Sequence, residues 1–283
     1  MNEPFIMLNP NSNKSRNVIN YLNSNNIVYH VPNKNKSLEK EIENRLKRGY
    51  RDFIICGGDG TVNKFVNIAM NLNKKERDKI RVGLIPCGRA NDLAKNLELP
   101  LNIEEAFEVI KKRKSKRIDL IKINSKYIVT GGGFGLPSEV IIEMEKSKKK
   151  NRFFSKIFKD ITYYLYVLKL AIFGYKGIEY DNKKYMAICV MNQGFIGRRF
   201  NIFPDAKNND GLSEVCFIEM PQGIINNFKV IKKIINGEYF NNFRNGVKFI
   251  KKMKISFNKG CYFMGDGEIL CYGHEFYMEV IPK

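Results

Sequence analysis

IICGGDGT, at residues 54–61, is an apolar run that ends in three glycines placed around one acid. A short apolar run followed by such a turn predicts a buried strand that leads into a tight loop. Phosphates must approach a backbone closely, and side chains at Gly57, Gly58 or Gly60 would block them, so this loop is typical of a phosphate site. Asp59 would then be an acid at its mouth, able to hold Mg²⁺ directly or through water.

The residues after this acid predict a helix that begins at Val62 and continues through Asn63. Thr61 is suited both to cap that helix and to donate its hydroxyl to a phosphate oxygen. The alternative is an ordinary strand-turn-helix corner. Such a corner needs a glycine or two but no acid between three glycines, so the phosphate site is favoured.

Four apolar segments alternate with helical patterns over the first 119 residues, which predicts an α/β domain with parallel strands and crossover helices. The loops that leave the carboxyl ends of such strands form the ligand site. The predicted strands are Pro4–Asn9, Ile27–Val31, Phe53–Cys56 and Val82–Pro86. We expect three of their loops to converge: Asn9–Lys14, Gly57–Thr61 and Gly88–Asp92.

The loop after the fourth predicted strand repeats the arrangement, because Gly88 is followed by Asn91 and Asp92 at the start of a helix. Taken alone, these two polar residues read as a helix cap. Beside Asp59 on the neighbouring strand end, Asp92 becomes a second acid over one phosphate site. The first loop, which begins at Asn9, is a weak signal by itself.

Strand pairs dominate from residue 120 onward and predict a second, mostly antiparallel β-rich domain over residues 120–283. Asn124 and Ser125 separate the first two strands as a short hairpin turn. A helical insertion is expected at about 137–176. The predicted elements are strands at Ile118–Ile123, Tyr127–Thr130, Tyr185–Met191, Leu212–Ile218, Val247–Phe257, Cys261–Met264 and Phe276–Ile281, and a helix at Gln222–Asn236.

The charge balance points to an anionic partner, since 49 basic and 29 acidic residues give a formal net charge of +20. The segment 146–176 combines a basic run with an apolar helical face. It allows three interpretations: a core-packing helix pair, a membrane-facing lid, or a nucleic-acid surface. The last is least favoured, because nucleic-acid binders more typically interleave basic and aromatic residues over an exposed sheet or groove, whereas basic residues beside an apolar helical face suit anionic lipid headgroups. No run of about 18 uncharged apolar residues occurs and the N-terminus does not resemble a signal peptide, so we expect a cytoplasmic protein.

The six cysteines lie singly in apolar runs and are expected to be reduced.

Six motifs follow one another along nearly the full length of the chain: Asn9-Pro10, Gly57-Gly58-Asp59-Gly60-Thr61, Gly88-x-Ala90-Asn91-Asp92-Leu93-Ala94, Arg117-Ile118-Asp119, Pro204-Asp205-Ala206-Lys207-x-x-Asp210-Gly211-Leu212 and Asp266-Gly267-Glu268. In this order and spacing they resemble the bacterial diacylglycerol kinase-like lipid kinases, a family that includes the sphingosine and ceramide kinases. Phosphofructokinases and NAD kinases share the Gly-Gly-Asp-Gly motif, but the Asn-Thr-Asp element of NAD kinases is missing from this sequence.

The resemblance implies an ATP-dependent and Mg²⁺-dependent kinase in which the stretch from Gly57 to Asn63 contacts ATP. It also implies a structural Mg²⁺ site formed by the Asp210 carboxylate with the backbone carbonyls of Lys207 and Leu212. An oxygen-rich turn suits a hard cation, although a plain type I turn is the alternative. Asp119 matches a family aspartate that joins the Mg²⁺ and water network with Asp59.

The same resemblance implies that Glu268 accepts the proton of the attacking hydroxyl, with Asp266 as the second candidate. Without it, Met264–Gly267 would read as a hairpin turn. Two departures from the family concern the nucleotide. Arg89 replaces a threonine among its contacts, and a further threonine of the family falls here at Val31 or Pro32. Arg89 offers a bidentate phosphate contact instead, or marks altered nucleotide use.

These observations predict a lipid kinase that phosphorylates a hydroxyl of diacylglycerol or a related lipid while peripherally associated with an anionic membrane. No nucleic-acid partner is expected, and a homodimer is an open alternative. Two other functions stay in view: a kinase of a soluble acceptor, such as a nucleotide or sugar, and a nucleotide-binding regulator that no longer catalyses.

Overall fold

The computed structural model describes residues 3–32, 37–150, 175, 177–196, 200–240 and 246–283, leaving aside the side chains of residues 147–150. The chain divides into two compact units, Met1–Arg117 and Ile118–Lys283. The first is the expected α/β unit with a parallel sheet, and the second is mostly antiparallel. The boundary predicted from the sequence falls two residues later.

The first unit contains a parallel sheet in the order β1-β2-β3, formed by β1 (Phe5–Leu8), β2 (Asp52–Gly57) and β3 (Arg81–Pro86). All four residues of β1 and five of the six in β2 are buried, as expected for strands covered on both faces. The helices of this unit are α1 (Ser15–Ser24), α2 (Leu38–Lys47), α3 (Asp59–Met70), α4 (Lys74–Arg77), α5 (Asp92–Asn96) and α6 (Ile103–Lys111).

The strand predicted at Ile27–Val31 is not formed. His30 makes an isolated parallel bridge with Met7, and its backbone exchanges two hydrogen bonds with β1. Val28 is 86% exposed, so this segment lacks the two-sided burial that holds a central strand. The strand prediction was wrong because the apolar residues of Ile27–Val31 lie beside the sheet and not within it.

The second unit is built around a nine-stranded sheet among the described residues, with antiparallel pairs throughout. Its strands are β4 (Leu120–Ile123), β5 (Lys126–Ile128), β6 (Gly131–Gly135), β7 (Ile178–Tyr180), β8 (Lys183–Met191), β11 (Ser213–Glu219), β12 (Val247–Ile250), β13 (Lys252–Gly265) and β14 (Glu268–Ile281). The order is β12-β11-β8-β6-β13-β14-β4-β5, and β7 pairs with β8. A separate two-stranded ribbon joins β9 (Phe195–Ile196) to β10 (Phe200–Asn201).

The predicted hairpin at residues 118–130 is confirmed, with Asn124 at φ 53° in its turn. Two other predictions change. The strand expected at Val247–Phe257 is divided at Lys251, and its second half continues through the strand expected at Cys261–Met264. Four strands were not predicted: β6, β7, β9 and β10. In β6, a Cβ on Gly132 would lie 2.2 Å from the Met264 carbonyl oxygen, so close strand packing requires the glycine.

Two apolar layers cover the sheet of the second unit. One face holds an aromatic cluster around Phe134, whose ring lies 4.7–5.0 Å from three other phenylalanine rings. The other packs against α7 (Leu136–Lys150) and α8 (Ile224–Ile235). The predicted helix at Gln222–Asn236 is thereby found as α8. Of the predicted insertion at about 137–176, residues 151–174 and 176 lie outside the described residues. All six cysteines are free.

Candidate active site

The loops after β2 and β3 touch through their glycines. A Cβ on Gly88 would lie 2.4 Å from the Cα of Gly58, and a Cβ on Gly58 would lie 2.9 Å from the Cα of Gly88. Both distances are too short for any side chain. A Cβ on Gly57 would similarly meet the Thr61 side chain at 2.6 Å. Packing between the loops thus explains Gly58 and Gly88, and packing against Thr61 explains Gly57, whereas the sequence suggested that an approaching phosphate excluded side chains there.

Asp59 joins these two loops. Its Oδ1 accepts a hydrogen bond from the backbone N–H of Leu93 at 3.1 Å, in the first turn of α5. Asp92, the second predicted acid, is 6% exposed and lies 3.8 Å from the Lys95 ammonium. The structure therefore brings both acidic loops together, with Asp59 at the junction and Asp92 paired on its own helix.

The start of α3 differs from the sequence-based expectation. The helix begins at Asp59 with Gly58 as its N-cap, so Thr61 lies in the first turn and does not cap a helix at Val62. The Thr61 hydroxyl accepts a hydrogen bond from the Asn9 side-chain amide at 2.8 Å. That contact brings the first loop to the glycine loop, as predicted.

Two further predicted nucleotide residues, Val62 and Asn63, are buried at 4% and 7% exposure. Their side chains therefore belong to the interior of this unit. Gly60 lies in the first turn of α3, where the N–H groups of Thr61 and Val62 donate to the Gly58 carbonyl at 2.9 and 3.1 Å. The Asp59 and Gly60 N–H groups have no partner among the described residues, so the positive dipole end of the helix retains N–H groups that can bind an anion.

Asn91 occupies the left-handed region at φ 51° and is 6% exposed. Its amide donates to the Gly88 carbonyl at 3.2 Å, while its Oδ1 has no hydrogen-bond partner within the described part of the chain. A buried carbonyl oxygen without a hydrogen-bond partner costs free energy. The Asn91 Oδ1 is therefore suited to accept a hydrogen bond from a ligand. Arg89 is half-buried and makes no ion pair with the described residues, so its guanidinium is available for an anion.

Asp119 lies in the second unit and is fully buried. Its Oδ2 accepts a hydrogen bond from the Gly211 N–H at 2.7 Å, and its Oδ1 accepts one from the Lys283 N–H at 2.8 Å. Its own N–H donates to the Asn208 carbonyl at 2.7 Å. Asp119 therefore fixes the loop that contains Asp210.

The Asp210 loop is the predicted metal site. Gly211 adopts φ 76°, and the Leu212 N–H donates to the Asp210 Oδ1 at 3.0 Å. Asp210, Lys207 and Glu214 line a pocket of about 570 Å³. No cluster of three or more His, Cys, Asp or Glu side chains suited to a metal was found among the described residues, so carbonyls and water would complete the shell.

Glu214 belongs to this pocket and was not singled out from the sequence. It is 1% exposed, and its Oε2 has no hydrogen-bond partner in the part of the chain that the structure describes. Burial, reinforced by the Asp210 charge, raises the pKa of Glu214 to about 7. A buried, unpaired carboxylate oxygen beside Asp210 fits a Mg²⁺ site, because a cation would compensate both charges.

At the turn between β13 and β14, the two predicted proton acceptors, Asp266 and Glu268, have different surroundings. Asp266 is 8% exposed, and its carboxylate accepts hydrogen bonds from the Val129 N–H, the Thr130 N–H and the Thr130 hydroxyl at 2.9, 2.8 and 2.5 Å. These contacts assign Asp266 to holding the turn. Glu268 is exposed and lines a pocket of about 430 Å³ with residues of α7. Glu268 therefore has the accessibility that a proton acceptor requires.

Asn192 connects these two parts of the second unit and was also missed from the sequence. It is fully buried, and its amide donates to the carbonyls of Asp119 and Val129, each at 2.8 Å. Since the Val129 N–H donates to Asp266, one hydrogen-bonded chain runs from the Glu268 turn to the Asp210 loop. The sequence does show an asparagine directly after a buried strand. Its bonding partners are remote in sequence, so this signal could not reveal its role.

A third pocket of this unit, of about 40 Å³, is lined only by apolar residues and proline: Leu136, Pro137, Met186, Ala187, Cys189, Ile196, Phe200, Ile202, Ile218, Ile231 and Ile234. We call it the apolar pocket. Among the described residues, no helix combines the length and apolar character needed to cross a bilayer.

Comparison with known proteins agrees with the sequence motifs. The diacylglycerol kinase catalytic domain model matches residues 5–123, and the YegS C-terminal NAD kinase beta sandwich-like domain model matches residues 144–283. A diacylglycerol kinase of Staphylococcus carnosus strain TM300 is 34% identical over 38% of this chain, and one of Staphylococcus haemolyticus strain JCSC1435 is 30% identical over 63%. The matched regions span 34% and 53% of those relatives' own lengths.

Solved structures support the fold. A diacylglycerol kinase from Bacillus anthracis strain Sterne superposes with a TM-score of 0.68 at 18% identity, covering 99% of this chain and 94% of the other. The two family models follow each other along the chain in the same order as its α/β and β-rich units. The chain therefore belongs to the diacylglycerol kinase-like family.

Proposed function

We propose that this chain is an ATP-dependent and Mg²⁺-dependent lipid kinase that phosphorylates a hydroxyl of diacylglycerol or a related lipid while bound peripherally to an anionic membrane. The observation that carries the proposal is the loop cluster of the first unit, where Gly58 meets Gly88 and Asp59 bonds to the start of α5. Family membership supports phosphoryl transfer, and the similarity to proteins named diacylglycerol kinase supports a lipid acceptor.

The nucleotide phosphates would lie on the uncapped first turn of α3, where backbone N–H groups and the helix dipole favour an anion. The Asn91 side-chain oxygen, which has no hydrogen-bond partner among the described residues, would accept a hydrogen bond from the ligand or its waters, and Arg89 would neutralise phosphate charge. Bound Mg²⁺ would offset the charge that develops on the phosphoryl oxygens. Asp59 would hold the cation directly or through water.

Glu268 would accept the proton of the lipid hydroxyl. At the same time the hydroxyl oxygen would form the new bond to the γ-phosphorus, and the bond between the γ-phosphorus and the oxygen that bridges it to the β-phosphate would break. ADP leaves with the bonding electrons, and the proton stays on the Glu268 carboxylate until it passes to water. Asp266, Thr130 and Asn192 would position Glu268 by holding the turn.

A structural cation in the Asp210 loop would be held by the Asp210 carboxylate and by the carbonyls of Lys207 and Leu212. Asp119 would keep the loop in its shape through Gly211 and Asn208. This loop would therefore stabilise the second unit, and its contribution to turnover would be indirect.

The test is incubation of the purified protein with γ-labelled ATP, Mg²⁺ and either a total lipid extract or detergent micelles of diacylglycerol, sphingosine or undecaprenol. We expect a labelled lipid from the wild-type protein and none from Asp59→Asn. Asp52→Asn is the matched control, because it removes a carboxylate from the first residue of β2, the strand that leads into the Asp59 loop, where Asp52 pairs with Arg81.

Three results would contradict the proposal. A labelled soluble product without lipid would favour a kinase of a soluble acceptor. ATP binding without transfer to any acceptor would favour a regulator, in which Arg89 marks altered nucleotide use. Full activity of Asp59→Asn would remove the loop cluster from the chemistry.

A further inference from the structure

Helix α8 presents two different faces. Its inner face consists of Asn227, Val230, Ile231 and Ile234, which are buried or pack against the core of the second unit. Their spacing of three and four residues places them along one side of the helix. Residues 225, 228, 229 and 232 follow the same spacing on the opposite side, so this outer face points to solvent.

The outer face is apolar where a solvent-exposed helix would be polar. On this face Ile225 and Phe228 are 73% and 38% exposed, and Ile224, beside them at the start of the helix, is 49% exposed. Lys229 and Lys232 follow one turn further along the same face, and α8 contains no acidic residue. Exposed isoleucine and phenylalanine side chains clustered in one helical turn mark a contact surface.

We propose that the outer face of α8 is the surface through which this protein docks onto an anionic lipid bilayer. Ile224, Ile225 and Phe228 would enter the boundary between headgroups and acyl chains, while Lys229 and Lys232 bind the anionic headgroups. The proposal rests on the proposed function, since an enzyme that modifies a lipid must meet the bilayer in which that lipid lies.

The inner face of the same helix supports a bilayer over other partners. Ile231 and Ile234 line the apolar pocket, so a single helix separates that pocket from the outer face. A bilayer bound there would deliver acyl chains within one helix diameter, about 10 Å, of the pocket. A soluble partner gains nothing from this adjacency.

Charge distinguishes the bilayer from a second copy of the chain. In a two-fold symmetric dimer the same patch meets itself, which would bring Lys229 and Lys232 towards their own copies. Like charges held together at an interface oppose association. The net charge of +20 adds to that repulsion and favours an anionic surface instead.

The experiment is flotation of the full chain with two kinds of vesicle, phosphatidylcholine alone and an equal mixture of phosphatidylcholine and phosphatidylglycerol. For Ile225→Gln/Phe228→Gln we expect partitioning onto the mixed vesicles to weaken at least about tenfold. For Lys229→Gln/Lys232→Gln we expect a loss of about thirtyfold, from about 1 kcal/mol for each lysine near an anionic surface.

Matched controls lie in the first unit. Val28→Gln/Val82→Gln removes two exposed apolar side chains, and Lys47→Gln/Lys75→Gln lowers the net charge by the same two units. Both controls should float like the wild-type protein, and thermal unfolding should show that all variants fold. Phosphorylation of a water-soluble short-chain diacylglycerol should be unchanged in the α8 variants, because that substrate needs no docking.

Wild-type flotation by the α8 variants, or equal losses in the controls, would overturn the docking surface. So would a dimer that dissociates on Ile225→Gln/Phe228→Gln, measured by light scattering. If the wild-type protein floats in an α8-dependent manner but phosphorylates no lipid, the docking surface stands and the proposed function fails.

Discussion

The Oδ2 of Asp119 accepts a hydrogen bond from the Gly211 N–H at 2.7 Å, which ties the start of β4 to the Asp210 loop across 92 residues of sequence. Its second oxygen accepts from the Lys283 N–H, so the same buried carboxylate also anchors the last residue. Both oxygens are used as acceptors of backbone donors. Asp119 is therefore a structural centre of the second unit.

Asp119→Asn should destabilise the protein, because an amide NH₂ group would face one of these N–H donors and leave it unsatisfied. We expect a loss of about 2–3 kcal/mol in the free energy of unfolding, measured by urea denaturation. Asp78→Asn, which removes an exposed pair with Lys74, should leave it nearly unchanged, because solvent screens exposed ion pairs. An equal effect of the two substitutions would contradict the role given to Asp119.

Gly88→Ala should separate the two loops of the first unit, because the new Cβ would lie 2.4 Å from the Cα of Gly58, a backbone atom that cannot rotate away. A shift of about 1 Å in a positioned group can cost about a hundredfold, so we expect ATP affinity to fall by tenfold to a hundredfold. Isothermal titration calorimetry would measure it.

Gly273→Ala is the control for this substitution, since its Cβ would meet its nearest atom at 3.9 Å, an ordinary contact. It should leave ATP affinity unchanged. Retention of full affinity by a folded Gly88→Ala protein would mean that the loop contact does not shape the nucleotide site.

The sequence revealed the parallel unit, the β-rich unit and the acidic loops, because strand periodicity and glycine turns are local signals. It did not reveal β6, since Gly131–Gly133 pack closely against neighbouring strands for reasons that only the partner strands explain. The roles of Asn192 and Glu214 were equally hidden. The Asn192 amide bonds to carbonyls 73 and 63 positions away, and Glu214 is defined by its burial beside the Asp210 loop, neither of which local patterns encode.

The distinction between Asp266 and Glu268 also required the structure. Both are acids of one turn motif, and only the hydrogen bonds from Val129 and Thr130 assign one of them to holding the turn. Helix starts were misplaced for a related reason. The sequence put the start of α3 at Val62 because Thr61 is a good cap, whereas the contact with Asn9 uses that hydroxyl differently.

Glu214 should make stability depend on pH. Its pKa is raised from 4.5 to about 7 in the folded protein, so folding takes up a proton between these values and stability falls as pH rises from about 4.5 to 7. Glu214→Gln should therefore be more stable than the wild-type protein above pH 7, by at most about 3 kcal/mol, and equal to it near pH 4. Thermal unfolding across this range would measure the difference.

Magnesium should offset the loss of stability that ionised Glu214 causes above pH 7, because a cation in the pocket compensates the charges of Glu214 and Asp210. At pH 8, added Mg²⁺ should raise the melting temperature of the wild-type protein more than that of Glu214→Gln. Glu219→Gln, an exposed acid at the end of the same strand, should respond like the wild-type protein. Identical Mg²⁺ responses in all three proteins would exclude Glu214 from the cation site.

Glu268→Gln and Asp266→Asn should fail in different ways. Glu268 is exposed in its pocket, so its amide variant should fold normally, bind ATP with unchanged affinity and lose about a hundredfold to ten-thousandfold in kcat. Asp266→Asn would replace an acceptor of three hydrogen bonds with a group that is partly a donor, so it should lose about 2–3 kcal/mol in unfolding free energy. Steady-state kinetics with a short-chain diacylglycerol, together with urea denaturation, would separate the two effects. If Asp266→Asn keeps full stability but loses turnover, and Glu268→Gln stays active, then Asp266 and not Glu268 is the proton acceptor.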